Sequence, residues 1–320
     1  MSKILIMGIS GFTGIHLWNF IKTAGGKEVV GTYHAKLSKL QGKFLRGCAL
    51  KKCDINDFSQ IVRILKSDRP EQIYFLPAIV TVRRAFGNAR AIYKTNILGI
   101  TNFYEAVISS KLSPRILFVG SAEEYGKVKK DVLPLREQHP LNPVNPYGFS
   151  KMIQEQLSCY YRRMHGLNIS ITRTFHFTGP LQPPSFVISD FAYQIARIES
   201  GKQEGVIRVG NLDAKRDFTD IRDVVRAYHR ILNNTKEADI FNVCSGYSVS
   251  IRTILQKLLA KTDVKVLIQK DPQKLRKLDV PDFKGDNSKL IAKTGWEREV
   301  PMDKMLTDVL DWHRQHLGKW

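Results

Sequence analysis

Near its N-terminus the sequence reads Lys3-Ile4-Leu5-Ile6-Met7-Gly8-Ile9-Ser10-Gly11-Phe12-Thr13-Gly14, and this stretch decides the fold. An apolar run ends at a glycine, two more glycines follow at three-residue spacing, and a helical pattern of apolar residues comes next. Glycines permit a tight turn and let backbone N–H groups approach a pyrophosphate at the N-terminus of a helix. We therefore predict a strand, a phosphate-binding loop and a helix, with dinucleotide contacts from Gly8, Gly11, Phe12, Thr13 and Gly14.

Strand and helix patterns alternate through the first half of the chain. Buried strands are predicted at Glu28–Tyr33, Leu50–Cys53, Gln72–Leu76, Ile116–Gly120 and Asn168–Thr174. Helices are predicted between them, one capped by Asp57 and another running from Tyr147 to about His165. The alternation predicts an α/β fold of the Rossmann type, a doubly wound parallel sheet whose ligands lie beyond the carboxyl ends of the strands.

The alternation breaks after residue 174. Gly179-Pro180 and Pro183-Pro184 punctuate a long loop, and shorter strands and helices follow, among them a predicted strand at Val264–Ile268. We predict a dinucleotide-binding domain at residues 1–174, with return segments near 213–243. Residues 175–212 and 244–320 are then expected to form a smaller mixed α/β substrate domain.

The second predicted strand carries information about the cofactor. An NAD site commonly has a carboxylate at the end of this strand, which binds the ribose 2′-hydroxyl. Here the strand is followed by His34 and Lys36, so NADP(H) is preferred and NAD(H) remains possible. Asp54 and Ile55 are placed to meet the adenine, and Leu76 ends the fourth strand beside the cofactor.

Tyr147 and Lys151 are four residues apart on a predicted helix, so they lie on one face. A phenol has a pKa near ~10, and a neighbouring ammonium lowers it by favouring the phenolate. Such a pair can move a proton to or from a sugar oxygen near neutral pH. Ser121 follows the fifth strand and is therefore expected in the same cleft.

Composition excludes several classes of protein. The net charge is +20, but the 50 Lys and Arg residues are spread along the chain without a nucleic-acid motif, so no nucleic-acid partner is expected. No apolar run reaches the ~18 residues that a membrane helix needs. The four cysteines lack metal-ligand spacing and indicate reduced thiols, and we expect a cytoplasmic protein without a metal site.

These motifs occur together and in a characteristic order. The glycine loop, Asp54-Ile55, Asn96, Ser121 and the Tyr147–Lys151 pair resemble the nucleotide-sugar branch of the extended short-chain dehydrogenase/reductases, also known as the NAD-dependent epimerase/dehydratase family. The resemblance covers essentially the whole chain. It implies an NAD(P)-dependent oxidoreductase in which Tyr147 is the general acid and Lys151 lowers the pKa of Tyr147 and binds the nicotinamide ribose. It further implies that Ser121 donates to the reacting oxygen and that Asn96 supports the lysine through ordered water.

Segments of the chain indicate which enzymes of this family it resembles most. The stretch at 209–218 looks like the segment shared by GDP-mannose 4,6-dehydratases and the reductases that follow them. The stretches at 120–126, 218–225, 241–246 and 271–286 look most like those of GDP-4-dehydro-6-deoxy-D-mannose reductases. The implied substrate is a GDP-linked 4-keto-6-deoxy-hexose, and the implied product is GDP-D-rhamnose or its C4 epimer, for cell-surface polysaccharides such as lipopolysaccharide. The substrate-binding candidates by resemblance are Glu123, His176, Val187, Asn211, Arg216 and Arg276. The two arginines are candidates for the diphosphate, which suits a forked guanidinium.

Three residues depart from the family pattern. His176 stands where asparagine is usual, and Ala122 stands where a second hydroxyl is common. Pro77 removes a backbone donor beside the cofactor. Because Ser121, Tyr147 and Lys151 are all present, these departures indicate an altered sugar specificity more than lost catalysis.

Two other functions remain open at this stage. A 4,6-dehydratase or an epimerase of the same branch would retain its cofactor, and Glu123 matches the position of the catalytic glutamate of the dehydratases. A non-catalytic dinucleotide-binding regulator is the more distant alternative, supported only by the positive charge. The resemblance also implies a homodimer formed through the helices that contain Asn96 and Tyr147.

Overall fold

The computed structural model describes residues 3–25, 27–79, 88–275 and 280–318. Its strands are β1 (Lys3–Met7), β2 (Glu28–Tyr33), β3 (Ala49–Lys52), β4 (Gln72–Phe75), β5 (Arg115–Ser121), β6 (Asn168–Thr174), β7 (His176–Thr178), β8 (Val206–Val209), β9 (Lys215–Arg216), β10 (Phe218–Asp220), β11 (Ile240–Val243), β12 (Val249–Ser250), β13 (Leu267–Lys270) and β14 (Asp282–Phe283). Its α-helices are α1 (Phe12–Ala24), α2 (Lys39–Phe44), α3 (Phe58–Asp68), α4 (Ala89–Tyr93), α5 (Gly99–Ser109), α6 (Pro146–His165), α7 (Val187–Glu199), α8 (Ile221–Asn234), α9 (Ile251–Leu259), α10 (Ser288–Thr294) and α11 (Met302–Gln315).

A parallel sheet organises the molecule. Within the described residues its strand order is β3-β2-β1-β4-β5-β6-β11, and every neighbouring pair is parallel. The first six strands follow the 3-2-1-4-5-6 order of a dinucleotide-binding Rossmann sheet. The α/β doubly wound fold predicted from the sequence is therefore confirmed. Because β1, β4 and β5 are central, their carboxyl ends meet at one edge of the sheet, where the glycine loop and Ser121 lie.

Apolar side chains fill both faces of the sheet. On one face α1 packs with α8, and Trp18, Val224 and Tyr228 are buried there. On the other face α3 and α5 contribute Ile61, Phe103 and other buried residues. Fully burying such a side chain stabilises the fold by roughly 1.5–3 kcal/mol. These two clusters pack the sheet between helices on both faces and so fix the positions of the strand ends.

A third apolar cluster joins α7, α9 and α11 behind β8, with Phe191, Leu258 and Leu306 at its centre. β11 lies in the main sheet and α8 packs on α1. The division of the chain into two domains at residue 174 stays a prediction.

Two predicted elements differ from the structure. The strand predicted at Val264–Ile268 is wrong in position, since β13 spans Leu267–Lys270. Its place is set by pairing with β8, where Leu267 faces Val206, and not by the local apolar run. The predicted long helix around Asn96 is present, but a π-helical segment at Lys94–Leu98 interrupts it between α4 and α5. Among the described residues no helix is both long and apolar enough to cross a lipid bilayer.

Candidate active site

The N-terminus of α6 positions Tyr147 and Lys151. The Asn145 side chain caps this helix by accepting a hydrogen bond from the Gly148 N–H at 2.8 Å, and Pro146 occupies the first turn. Tyr147 is 7% exposed and Lys151 is 3% exposed, one helical turn apart. The capped helix therefore presents both groups to the sheet edge, as the spacing predicted.

Ser121 ends β5 directly opposite this helix. It starts a 3₁₀ turn at Ala122–Glu124, and its hydroxyl accepts a hydrogen bond from the Glu123 N–H at 3.2 Å. The Ser121 hydroxyl also lies near enough to the Tyr147 phenol to lower the pKa of that phenol. A strand end and a helix start that are distant in sequence thus place the predicted Ser121 and Tyr147 side by side.

The protonation of the two groups differs from the sequence-based expectation. Burial raises the pKa of Tyr147 well above its ordinary value, and the nearby Ser121 hydroxyl only partly opposes this effect. The Lys151 ammonium donates to the Val119 carbonyl at 2.8 Å and lies over the Phe118 ring at 4.9 Å. The net pKa of Tyr147 is therefore raised, because desolvation of the phenol dominates, and the lowering effect of Lys151 stays a prediction.

Lys151 itself is strongly perturbed. Burial lowers the pKa of the Lys151 ammonium from 10.5 to about 8, and the nearby Glu124 acts in the opposite direction when it is ionised. A buried lysine whose pKa lies near neutrality is typical of functional sites, because either protonation state is accessible. Tyr147 in its neutral form can donate a proton, and Lys151 can supply positive charge to the phenolate that remains.

Asn96 braces the same helix from the π-helical segment. Its Nδ2 donates to the Ser150 Oγ at 2.9 Å, and its Oδ1 accepts from the Ile79 N–H at 2.8 Å. Its backbone carbonyl accepts from Gln154 Nε2 at 2.7 Å. π-Helical turns are often found at functional sites. Asn96 therefore holds α6 on both sides of Lys151, and the water-mediated support of the lysine stays a prediction.

The glycine loop fits a dinucleotide pyrophosphate. Gly8 has φ of 78°, and a Cβ atom at Gly14 would lie 2.6 Å from the Ile9 Cα, so both positions require glycine. Gly11 caps α1 without a side-chain hydrogen bond, which leaves the N–H groups of the first turn, at Phe12 and Thr13, for an anion. The residues present thus match the predicted cofactor cradle.

The residues predicted to contact the nucleoside follow β2, β3 and β4. His34 is exposed directly after β2, and Gln41 of α2 donates to the Ser10 carbonyl of the loop at 2.8 Å. Asp54 accepts hydrogen bonds from both the N–H and the side chain of Asn56. Further along the sheet edge Ile55 packs against Gly99, and the Leu76 N–H donates to the Met7 carbonyl.

Glu123 and His176 meet on the other side of the Ser121 turn. Glu123 Oε2 accepts from Asn145 Nδ2 at 2.9 Å, and its Oε1 lies 3.9 Å from His176 Nε2. The His176 ring packs edge-on against Phe218 and Phe283. The structure thus brings two predicted substrate contacts together beside Tyr147, and the histidine that departs from the family pattern is one of them.

The remaining substrate candidates are not part of the group formed by Glu123, His176 and Tyr147. Arg216 on β9 is 5% exposed, and its Nη1 donates to the Lys215 and Val280 carbonyls at 2.7 Å each. Asn211 Oδ1 accepts from the Asp213 N–H, and Val187 begins α7 in a half-buried position. Arg276 lies outside the described residues. The diphosphate role of the two arginines stays a prediction.

The sequence reasoning missed the role of Asp217 beside Arg216. Its fully buried carboxylate accepts hydrogen bonds from the Ser245 N–H and hydroxyl, the Gly246 N–H and the Gly285 N–H. Burial raises the pKa of Asp217 to about 6, although each of these donors lowers it. Asp217 thus connects its own segment, next to Arg216, to the loops that contain Ser245 and Gly285. Local periodicity could not reveal it, since its partners come from distant segments.

Comparisons with known proteins agree with this geometry. The sequence model of the family described as GDP-mannose 4,6 dehydratase matches residues 5–309. The GDP-6-deoxy-D-mannose reductase of Pseudomonas aeruginosa is 30% identical over 311 residues, which cover 97% of each chain. The human GDP-mannose 4,6 dehydratase is 27% identical, covering 96% of this chain and 90% of its own.

A solved structure extends the match to three dimensions. The structure of RMD from Pseudomonas aeruginosa complexed with NADPH superposes with a TM-score of 0.86 at 27% identity, covering 98% of this chain and 99% of that one. The sequence motifs, the strand order and the site geometry are all consistent with the family that these comparisons give. The chain therefore belongs to the GDP-mannose 4,6-dehydratase family of extended short-chain dehydrogenase/reductases, which are NAD(P)-dependent oxidoreductases.

Proposed function

We propose that this protein reduces the 4-keto group of a GDP-linked 4-keto-6-deoxy-hexose with NADPH, giving GDP-D-rhamnose or its C4 epimer. The observation that carries the proposal is the cluster of Ser121, Tyr147 and Lys151, which the end of β5 and the start of α6 bring together at the same sheet edge as the glycine loop. The reductase named above is the relative that supports this reaction over others.

The chemistry follows from the protonation of the site. The cofactor, when bound, supplies a hydride to the carbonyl carbon of the sugar. Tyr147 has a raised pKa, so at neutral pH it holds the proton that the developing alkoxide needs. The Ser121 hydroxyl is placed to donate to the same oxygen. Lys151, with a pKa of about 8, carries positive charge at neutral pH and stabilises the phenolate after the proton has left.

NADPH is the proposed cofactor because the residues after β2 are basic. His34 and Lys36 are both exposed, and no carboxylate follows the strand to meet a ribose 2′-hydroxyl. The related structure was determined with NADPH, which is consistent with this choice. NAD(H) stays the second possibility. Arg216 and Arg276 are proposed for the GDP diphosphate, with Asn211, Val187 and His176 towards the remainder of the substrate.

A homodimer through α5 and α6 is part of the proposal. The outer face of α6 exposes Phe149, Tyr160 and Met164, and Leu98 is exposed beside it. Apolar side chains on the unburied faces of two adjacent helices are suited to pairing with a second copy by an isologous contact. Four free thiols fit a reducing compartment, so we place the protein in the cytoplasm.

The test is NADPH oxidation with the keto sugar generated in situ from GDP-mannose by a separate dehydratase. Tyr147→Phe removes the proton donor and leaves the ring, so we expect kcat to fall by about 10²–10⁴-fold. Tyr160→Phe is the matched control, since it removes an exposed hydroxyl from the same helix and is expected to leave kcat unchanged. Oxidation that persists in Tyr147→Phe, or that does not require the keto sugar, would contradict the proposal.

The second candidate function is a 4,6-dehydratase, and Glu123 is the observation that favours it. This carboxylate is held by Asn145 beside Tyr147 at the position of the dehydratase base. Such an enzyme would convert GDP-mannose to the keto sugar without added cofactor, and Glu123→Gln would abolish the conversion. Incubation of the purified protein with GDP-mannose alone, followed by NMR of the sugar, separates the two functions.

A further inference from the structure

A buried polar network lies directly behind the Ser121 turn. Glu124 is fully buried and follows the half-exposed Glu123 in the 3₁₀ turn. Its Oε1 accepts a hydrogen bond from the Ser121 N–H at 2.6 Å. A Cβ atom at Gly120 would lie only 2.7 Å from this oxygen, so the glycine makes room for the carboxyl group. The Glu124 side chain therefore packs within the turn that begins at Ser121 and is hydrogen-bonded to its backbone.

The second oxygen of Glu124 has a different environment. Within the part of the chain that the structure describes, Glu124 Oε2 is buried and receives no hydrogen bond. The Glu155 carboxyl group on α6 is the neighbouring charge that acts most strongly on Glu124. Both Glu155 oxygens are already engaged by Arg173, through Nε at 2.8 Å and Nη2 at 2.7 Å. Arg173 also donates to the Tyr125 hydroxyl at 3.0 Å and the Glu137 carbonyl at 2.8 Å.

Two adjacent buried carboxyl groups do not both ionise. The forked guanidinium of Arg173 stabilises the charge on Glu155, so the proton belongs to Glu124. A proton on Oε2, donated to Glu155, would satisfy this oxygen, which is buried without a partner among the described residues. Burial, followed by the charge of Glu155, raises the pKa of Glu124 well above its ordinary value, in agreement with the geometry.

We propose that Glu124 is a positioning residue, a neutral carboxylic acid that fixes the Ser121 turn through one oxygen and donates to Glu155 through the other. The effect on catalysis rests on the proposed function of Ser121, Tyr147 and Lys151; the protonation of Glu124 does not. The groups that face this acid are Lys151, Glu155 and Tyr147 from α6 and Arg173 from β6.

Neutrality of Glu124 also matters for Lys151. An ionised carboxylate beside a buried ammonium would form an ion pair and hold the lysine proton firmly. A neutral acid leaves the Lys151 ammonium to its contacts with the Val119 carbonyl and the Phe118 ring. Its positive charge then remains available to the Tyr147 phenolate, one turn away.

Two substitutions at Glu124 distinguish a neutral acid from a carboxylate. Glu124→Gln keeps an acceptor for the Ser121 N–H and a donor for Glu155, and it matches the neutral acid in shape. Glu124→Leu has a similar volume but neither polar group. We expect Glu124→Gln to keep kcat within about threefold and the same pH profile, and Glu124→Leu to lose kcat by about 10- to 100-fold with little change in KM. Glu204→Gln, at an exposed position, is the control and should match the wild type.

Infrared spectroscopy reads the proton on Glu124 without any substrate. The wild-type protein at pH 7 should show the carbonyl stretch of a protonated carboxylic acid, which is lost in Glu124→Gln and kept in Glu204→Gln. If the band is lost in Glu124→Gln but the wild-type protein does not reduce the keto sugar, the neutral acid is supported and only the proposed function is contradicted. Absence of the band, or a Glu124→Gln variant as impaired as Glu124→Leu or with a shifted pH profile, would overturn the neutral acid. Wild-type kcat in Glu124→Leu would overturn the positioning role.

Discussion

We expect Lys151→Met to make the protein more stable while it abolishes catalysis. Lys151 is 3% exposed, and burial lowers the pKa of its ammonium from 10.5 to about 8. A lowered lysine pKa means that the folded protein holds the charge less well than the unfolded chain. Methionine fills a similar volume without a charge, so the substitution removes this penalty.

The magnitude follows from linkage. At pH 7 the lysine is charged in both states, and a pKa lowered from 10.5 to about 8 corresponds to about 3 kcal/mol against folding. The substitution also removes the hydrogen bond to the Val119 carbonyl, worth about 1 kcal/mol. We therefore expect Lys151→Met to raise the free energy of unfolding by about 2 kcal/mol at pH 7. The gain should shrink by about 1 kcal/mol at pH 9, because the folded lysine then releases its proton while the unfolded one keeps it.

Urea unfolding followed by tryptophan fluorescence at pH 7 and pH 9 measures both effects. Lys257→Met, which alters an exposed lysine paired with Asp303, is the control and should change stability by less than about 0.5 kcal/mol. The reasoning is refuted if Lys151→Met is less stable than the wild type at pH 7, or if its stability relative to the wild type does not change between the two pH values.

Two further substitutions test the surroundings of the site. Arg173→Met removes one partner of a buried ion pair and should lower the free energy of unfolding by about 3–5 kcal/mol, most of which Glu155→Leu in the same chain should restore. A cost below about 1 kcal/mol in urea unfolding would show that the pair is not shielded from water. Gly14→Ala places a methyl group against the Ile9 backbone and should cost about 1–3 kcal/mol and weaken NADPH binding measured by fluorescence titration. Gly42→Ala, where a methyl group meets open space, should be neutral or stabilising, and equal behaviour of the two alanines would contradict the close packing of α1 on the glycine loop.

The sequence predicted the elements that local patterns determine. The bounds of β2 and β6 agree with the prediction, and Asp57 caps α3 as expected. In these segments apolar periodicity, capping residues and glycines all favour one local structure. β13 was misplaced because an exposed edge strand takes its position from its partner strand and not from its own sequence.

The sequence by itself determined the fold class and the candidate site at the carboxyl ends of the strands. Glycine spacing and strand–helix alternation are local properties, and the Tyr147–Lys151 spacing is fixed by the helical repeat. Only the tertiary structure decided the protonation of that site, because pKa values depend on burial and on neighbours that are distant in sequence. It turned the Lys151 ammonium towards the Val119 carbonyl, brought His176 to Glu123, and enclosed Glu124 with Glu155 and Arg173.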